Sequence, residues 1–407
     1  ALDESPKKEG LLYVGTDDGL VQISDNGGES WTKKASFPDV PEGTYVNYLL
    51  ASQHDESTVY AAFNNHKKGD FKPYLLKSTN KGKSWKSIAS NLPSRGSVYS
   101  IAEDHETPNL LFVGTEFGVF TSLDGGENWT QLKAGLPTIA IRDMAIQKRE
   151  NDLVLASFGR GFYVLDNYAP LREMSKELMK KEAHLFATKD AWMFMEDMPL
   201  GLRGKAFQGA SYFTADNPEV GAVFTYYFKE SLKTQKEERR EREAELRKEG
   251  KEVPYPSFEQ MRAEDREEKP YLLFTIENAE GEVVRRYKRS ATAGVKRLVW
   301  DFRYPTTSPI SLSSGGSSNP FSSEDQGYMA LPGEYQVSMG KVVDGRYTEL
   351  VEPQKFNTKM LNRATIPAED REEVLAFQKK VGELHRLIAA TGKVHGQLMD
   401  KVKYLKA

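Results

Sequence analysis

The stretch Tyr13–Trp31, YVGTDDGLVQISDNGGESW, is nearly rewritten at Phe112–Trp129 as FVGTEFGVFTSLDGGENW. Each copy holds two strand-like runs joined by a short turn, then a polar, glycine-rich box that ends in tryptophan. Three such boxes occur: Ser24-Asp25-Asn26-Gly27-Gly28-Glu29-Ser30-Trp31, Ser78-Thr79-Asn80-Lys81-Gly82-Lys83-Ser84-Trp85 and Ser122-Leu123-Asp124-Gly125-Gly126-Glu127-Asn128-Trp129. Their common pattern is Ser-x-[Asn/Asp]-x-Gly-x-[Ser/Asn]-Trp. The tryptophans stand 54 residues (85 − 31) and 44 residues (129 − 85) apart. Periods of that size, with several short strands in each, indicate propeller blades. A fourth copy, Asp152–Asn167 (DLVLASFGRGFYVLDN), keeps both strands and lacks the box.

The box has a local physical logic. Asn or Asp at its third position can accept hydrogen bonds from N–H groups of its own turn. Glycine at the fifth position supplies a positive φ. The tryptophan leaves the turn and plugs an apolar slot. Ser24, Asn26, Gly28, Trp31, Ser78, Asn80, Gly82, Trp85, Ser122, Asp124, Gly126 and Trp129 are therefore read as structural, not catalytic.

These boxes resemble Asp-boxes (BNR repeats), the hairpin repeats of sialidases, sortilin-type receptors and many secreted propellers. Together with FKPYLLKSTNKGKSW, GRGFYVLDN, NPEVGAVFTYYF, VKRLVWDFRYP and LPGEYQV, they make most of the chain similar to the C-terminal part of large bacterial secreted proteins described as sortilin-like or as Asp-box glycosyl hydrolases. The resemblance implies an extracytoplasmic propeller protein: periplasmic, cell-surface or secreted. Such proteins carry more repeats than the four seen here. The expected partner is a set of upstream blades, on a separate fragment or chain, with other cell-envelope proteins as further candidates. The start at Ala1 reads as a processed product or a piece of something longer, with Leu11–Thr16 as an open blade edge.

The expected fold is mostly β. Residues 1–168 form about four C-terminal blades of a propeller and residues 169–185 a linking helix. Residues 186–358 form an Ig-like β-sandwich, suggested by hairpin signals at Ala279-Glu280-Gly281 and Val343-Asp344-Gly345 and by the Pro-Gly of ALPGEYQV. A charged helical insertion at 229–269 and a Ser/Gly-rich loop at 306–327 interrupt the sandwich. Residues 359–407 read as a hairpin of two helices. Val374, Phe377, Val381, Leu384, Leu387 and Ile388 line the first and Val394, Leu398, Val402 and Leu405 the second, with Gly392 between them.

Composition narrows the function. With 56 basic and 59 acidic residues among 407, bulk charge does not mark a nucleic-acid binder. There is no cysteine for thiol chemistry and no apolar run of membrane-spanning length. The six histidines have no metal-ligand spacing, and phosphate loops and nucleophile elbows are missing, so neither metal nor cofactor is expected. The acidic pairs Asp17-Asp18 and Glu103-Asp104 have the residue types of glycoside hydrolysis and equally those of ordinary turns. Phe302-Arg303-Tyr304-Pro305 looks like a sialidase arginine signature but follows all the boxes, so Arg303 is read as a strand-end residue. The better candidate surface is the blade face opposite the boxes. Its turns carry Asp17, Asp18, Glu116, Phe117, Phe158 and Arg160, beside glycines that would shape plain hairpins in any case. The reading is a non-catalytic recognition or scaffold module. Its alternative is a sialidase-like glycoside hydrolase whose catalytic residues lie mainly in upstream blades.

Overall fold

The computed structural model describes residues 1–133, 135–194, 215, 217–309, 327–361 and 369–406. Two compact units are present, Ala1–Lys176 and Glu177–Ala407.

The first unit is built from four antiparallel sheets in chain order. They are β1 (Leu2–Glu4), β2 (Leu12–Gly15), β3 (Val21–Ser24) and β4 (Thr32–Lys34); β5 (Tyr45–Ala51), β6 (Val59–Asn65), β7 (Asp70–Ser78) and β8 (Lys86–Ser87); β9 (Val98–Glu103), β10 (Leu111–Thr115), β11 (Gly118–Ser122) and β12 (Thr130–Leu132); and β13 (Ile141–Gln147), β14 (Asp152–Ser157) and β15 (Phe162–Leu165). In each sheet the strands pair in sequence order, the meander of a propeller blade. The run Leu11–Thr16 is no open edge, because β2 is paired with β1 on one side and β3 on the other.

Three apolar cores join the sheets in succession. Tyr13, Val21 and Ile23 meet Val46, Ala61 and Phe63; Tyr60, Ala62 and Leu75 meet Ile101, Val113 and Phe120; Phe112 and Val119 meet Ile141, Met144 and Leu155. The two faces of β6 serve different cores, so the whole strand is buried. No buried cluster among the described residues joins the fourth sheet to the first, and Phe162 and Val164 of β15 are exposed.

The repeated glycine before the threonine of VGT has a packing reason. A Cβ on Gly15 would lie 2.5 Å from Val46 Cγ1, and one on Gly114 would lie 2.6 Å from the Ile141 carbonyl oxygen. Val46 and Ile141 belong to the inner strand of the following sheet. Glycine lets that strand approach. Strand register puts Ala62 at the corresponding place in the second sheet.

The boxes are self-satisfied turns. Ser24, Ser78 and Ser122 Oγ accept from the N–H of Gly28, Gly82 and Gly126 at 2.8–2.9 Å. Asn26, Asn80 and Asp124 accept from the N–H of Ser30, Ser84 and Asn128 at 2.8–3.0 Å. The fourth box residue of each (Gly27, Lys81, Gly125) donates to a carbonyl in the first turn of its own sheet: Gly10, Ser57 and Asn109.

The tryptophans are not equivalent. Trp129 is 4 % exposed and donates from Nε1 to the Ile88 carbonyl, 2.7 Å away in the preceding connector. Trp85 is half-buried, edge-on to Phe37 of the connector before it. Trp31 is 43 % exposed and bonds only within its own turn, to the Gly28 carbonyl. The slots of Trp85 and Trp129 come from the preceding sheet and its connector, whereas Trp31, in the first described sheet, belongs to no apolar core among the described residues. The expected apolar plug therefore holds for Trp129, in part for Trp85, and fails for Trp31.

The expected linking helix shrinks to a single turn, α1 (Pro170–Glu173), and a 3-10 turn at Leu178–Lys180. Pro170 opens α1, and Met174 ends it in an extended conformation. In the second unit β16 (Ala183–Leu185), β17 (Ala191–Met193) and β18 (Ala222–Phe228) precede two helices, α2 (Gln235–Lys248) and α3 (Phe258–Arg266). Then follow β19 (Tyr271–Asn278), β20 (Val283–Ser290), β21 (Gly294–Trp300), β22 (Gly333–Val343), β23 (Arg346–Met360) and α4 (Arg371–Lys406). The sheets β16-β18-β21 and β17-β23-β22-β19-β20 share one core around Phe224, Phe274, Trp300, Tyr335 and Phe356. The charged insertion is a pair of helices tied by Arg239, which bonds Glu264 through both its Nε and Nη2. Most of the Ser/Gly-rich loop lies outside the described residues. The expected helical hairpin is one unbroken helix, α4. Gly392 and Gly396 sit inside it, because one glycine costs a helix only about 1 kcal/mol.

Replacing Trp129 by Ala should lower stability by about 3–5 kcal/mol, the range for a buried aromatic. Trp31→Ala should cost less than about 1 kcal/mol, as a surface change does. Thermal or denaturant unfolding of the two variants side by side checks the difference, and equal losses would refute it.

Candidate binding face and the buried acids

Antiparallel meanders put the box turns at one end of the blades. At the other end are the β2–β3, β6–β7, β10–β11 and β14–β15 turns and the connectors between sheets. Hydrogen bonds knit that second end together: Val46 N–H to Thr16 O, Gly96 N–H to Phe71 O and Phe158 N–H to Ala140 O, at 2.8–3.1 Å.

Three inner strands carry a bulge at the same register. β5 skips Asn47 between Val46↔Phe63 and Tyr48↔Ala62. β9 skips Tyr99 between Val98↔Thr115 and Ser100↔Gly114. β13 skips Arg142 between Ile141↔Ser157 and Asp143↔Ala156. A bulge re-aims the side chain of its extra residue. Here the three extra residues become neighbours. Asn47 Nδ2 donates to the Tyr99 carbonyl at 2.9 Å, and the Arg142 guanidinium lies 3.9 Å from the Tyr99 ring centre. Arg142 also stands 5.1 Å from the ring centre of Phe158. The Tyr99 hydroxyl donates to Glu116 in a short bond. Burial first, then Glu116, pushes the Tyr99 hydroxyl upward in pKa, with Arg142 opposing. Tyr48, next to Asn47, is pushed up to about 12 by burial and then by Asp143.

Beside this row, Asn47 Oδ1, Ser97 Oγ and Ser100 Oγ are buried without a hydrogen-bond partner in the protein. A buried polar atom left so costs about 1–3 kcal/mol. Such atoms in a native fold call for a reason.

Of the residues singled out in the sequence, Glu116 and Phe158 join this row. Phe117 sits next to it on the same turn, where a Cβ on Gly96 would lie 3.5 Å from its ring, and its carbonyl accepts from Gln131 at 2.9 Å. Asp18 caps its own turn by accepting from Thr16 Oγ1, and Asp17 and Arg160 are exposed at hairpin tips. Asn47, Tyr99 and Arg142 were missed. Their signal was a polar or aromatic residue recurring directly after Val46, Val98 and Ile141.

The acids at the box end are committed elsewhere. Glu103 is buried and accepts from Ser52 Oγ at 2.9 Å, Gln53 N–H at 2.8 Å and Tyr60 Oη at 3.1 Å. Asp104 is fully buried and accepts from Arg172 Nε and Nη2, Tyr168 Oη, and the N–H groups of Glu106 and Thr107, all within 3.1 Å. Burial alone would raise its carboxyl, but Arg172, Tyr168 and Thr107 together hold it below the ordinary 3.8. Asp104 is saturated by five donors and Glu103 is held by three in a buried site, so neither carboxylate stands open to a substrate. They fasten neighbouring sheets, and Asp104 fastens the exit of the chain from the fourth. Arg303, in the second unit, donates to the Gly327 carbonyl at 3.0 Å, as a strand-end residue would. No group of three or more metal-ligating side chains occurs among the described residues, and no helix there is long and apolar enough to cross a membrane.

No protein-family model matches the chain, and no curated protein matches it. Solved structures that it resembles include a GH74 enzyme of Niastella koreensis, at 17 % identity and TM-score 0.32, over 42 % of this chain and 28 % of that one. YCF48 from Cyanidioschyzon merolae gives 20 % identity and TM-score 0.32, over 40 % and 52 %. PorZ of Porphyromonas gingivalis, described as a surface component of the type-IX secretion system, gives 12 % identity and TM-score 0.35, over 88 % and 44 %. The chain thus spans about half or less of each of these proteins. At such scores the similarity carries no argument about substrate or partner.

Asp104→Asn should cost about 1–3 kcal/mol at neutral pH, because an amide cannot accept from all the donors that Asp104 holds, while Arg172 keeps its ion pair with Glu106. The native carboxyl has a depressed pKa, so its stabilisation is complete above 3.8 and is lost as pH falls through the lower folded value. The gap between wild type and Asp104→Asn in denaturant titrations should therefore close below about pH 3.8. A pH-independent gap would refute this.

Proposed function

We propose that this chain is a non-catalytic recognition and scaffold module, and that its binding face is the bulge row Asn47, Tyr99 and Arg142 with Glu116 and Phe158. The observation that carries the reading is the alignment of three bulges at one register on three successive inner strands. Asp17, Asp18, Phe117 and Arg160 form the rim of the same face. An arginine stacked on tyrosine, with a carboxylate and amides beside it, suits a polar ligand that has one apolar or planar side: a sugar ring or an extended peptide. Exposed Arg142 and half-buried Glu116 supply the charged contacts for it.

The boxes are Asp-box hairpins in this reading, the two-sheet unit is an Ig-like docking domain, and the protein works outside the cytoplasm. A further sheet, from the same parent protein or a second chain, packs against the first blade and covers Trp31. Glu103 and Asp104 are committed to structure and lend the hydrolase alternative no support.

Arrays of surface glycans and of extended peptides, probed with the purified chain, test the proposal. Arg142→Ala and Tyr99→Ala should each weaken binding by at least about tenfold, as for interface anchors, while Lys33→Ala at the far end of a blade should not. Clear turnover of chromogenic glycosides would overturn it, as would binding indifferent to Arg142 and Tyr99.

A further inference from the structure

Helix α4 carries an apolar seam that the sandwich does not use. The sandwich meets the helix through Leu375, Lys379, Gly382 and Arg386. Leu375 is buried in the core, a Cβ on Gly382 would lie 2.9 Å from Thr307, Lys379 lies over the Tyr304 ring, and Arg386 donates to the Thr306 carbonyl at 3.2 Å. These residues alternate at spacings of four and three. They form one longitudinal stripe.

A second stripe runs along the other side with the same alternation, over nearly the whole helix. In heptad notation its a positions are Val374, Val381, Ile388, His395 and Val402, and its d positions are Phe377, Leu384, Thr391, Leu398 and Leu405. On that frame the sandwich-facing residues fall at b and f, the side of a helix turned away from an a/d seam. The apolar seam side chains are 41–87 % exposed. The seam spans about four and a half heptads and about 48 Å, at 1.5 Å per residue.

Residue types along the seam name the occupant. Every a position except His395 is β-branched, and three of the five d positions are leucine. That division of shapes is what a parallel two-stranded coiled coil of like helices prefers. A helix that merely lies in another protein's groove needs anchors over two or three turns and no such division. The two polar layers, Thr391 and His395, sit together at mid-seam, where polar a and d residues penalise slipped registers. Leu387, Val394 and Met399 widen the apolar strip at the flanking positions there. The one pair of like charges set close by parallel pairing, Lys401 with Lys406 of the second copy, falls in the last turn, where helices fray.

We propose that α4 pairs with α4 of a second copy of this chain in a parallel, in-register coiled coil, so that the protein is a homodimer. Sedimentation velocity over the micromolar range should give twice the 45.9 kDa chain mass. Leu384→Asp with Leu398→Asp, two exposed positions, should give a monomer that keeps the wild-type thermal unfolding of the sandwich. The chain has no cysteine, so Leu398→Cys reports orientation cleanly. A parallel seam sets the two sulfurs face to face, and mild oxidation should convert the chain to a disulfide-linked dimer, whereas Lys393→Cys, on the outer face, should stay unlinked. A wild-type chain that is monomeric at every concentration overturns the proposal. So does a dimer that survives the double substitution, or one that Leu398→Cys does not cross-link.

Discussion

Everything in the first unit follows from how closely one inner strand can approach the sheet before it. A blade has two faces and no core of its own, so its apolar side chains count only when the next sheet arrives. At Gly15 and Gly114 the approach leaves no room for a Cβ, and strand register puts Ala62 at the corresponding position. The small residue at this one register sets the spacing. Spacing in turn decides whether the faces of β6, β10 and β11 are wholly buried, as they are. The boxes are secondary to this. In the first three sheets they join the last two strands with satisfied backbone groups, and in the second and third they send a tryptophan toward the preceding connector.

The same packing constraint produces the candidate site. An inner strand that must pack closely at Val46, Val98 or Ile141, and then run on in pairing with its own sheet, has one residue too many. The surplus is taken up as a bulge, and the bulged side chain is turned out of the apolar alternation. One strand with such a defect would be a local accident. Three at one register put an amide, a phenol and a guanidinium side by side, on a frame fixed by the sheets. The acids went the other way. Glu103 and Asp104 sit where the sheets need cross-links, and they are held by donors from the second sheet, from α1 and from the β9–β10 turn.

What could be seen in the sequence was what repeats within a short window. The boxes, their glycines and the hairpins β19–β20 and β22–β23 were legible because turn chemistry is local. The bulges were not, because a bulge is defined by the partner strand and by a count of residues across it. The unequal burial of Trp31, Trp85 and Trp129 was hidden for a related reason. The boxes are the same, but the slot belongs to another sheet. The C-terminal helix was misread as two because Gly392 looks like punctuation. With helix-forming sequence on both sides, one glycine is not enough to end it.

Burial along the chain then has a direction. Trp129 is enclosed by the second sheet and its connector, Trp85 is partly enclosed by the first, and Trp31 stands in the open. At the far end Phe158, Phe162 and Val164 are exposed on the fourth sheet, which has three strands and no box. The row of four sheets is therefore asymmetric. Its first sheet offers a tryptophan in search of a slot, and its last offers an apolar strand without a covering sheet. Trp31 satisfies its indole N–H within its own box, as Trp85 does within its own, and of the three only Trp129 reaches a carbonyl of the preceding connector. What Trp31 lacks is therefore apolar cover rather than a hydrogen-bond partner, and the exposed strand of the fourth sheet lacks the same thing.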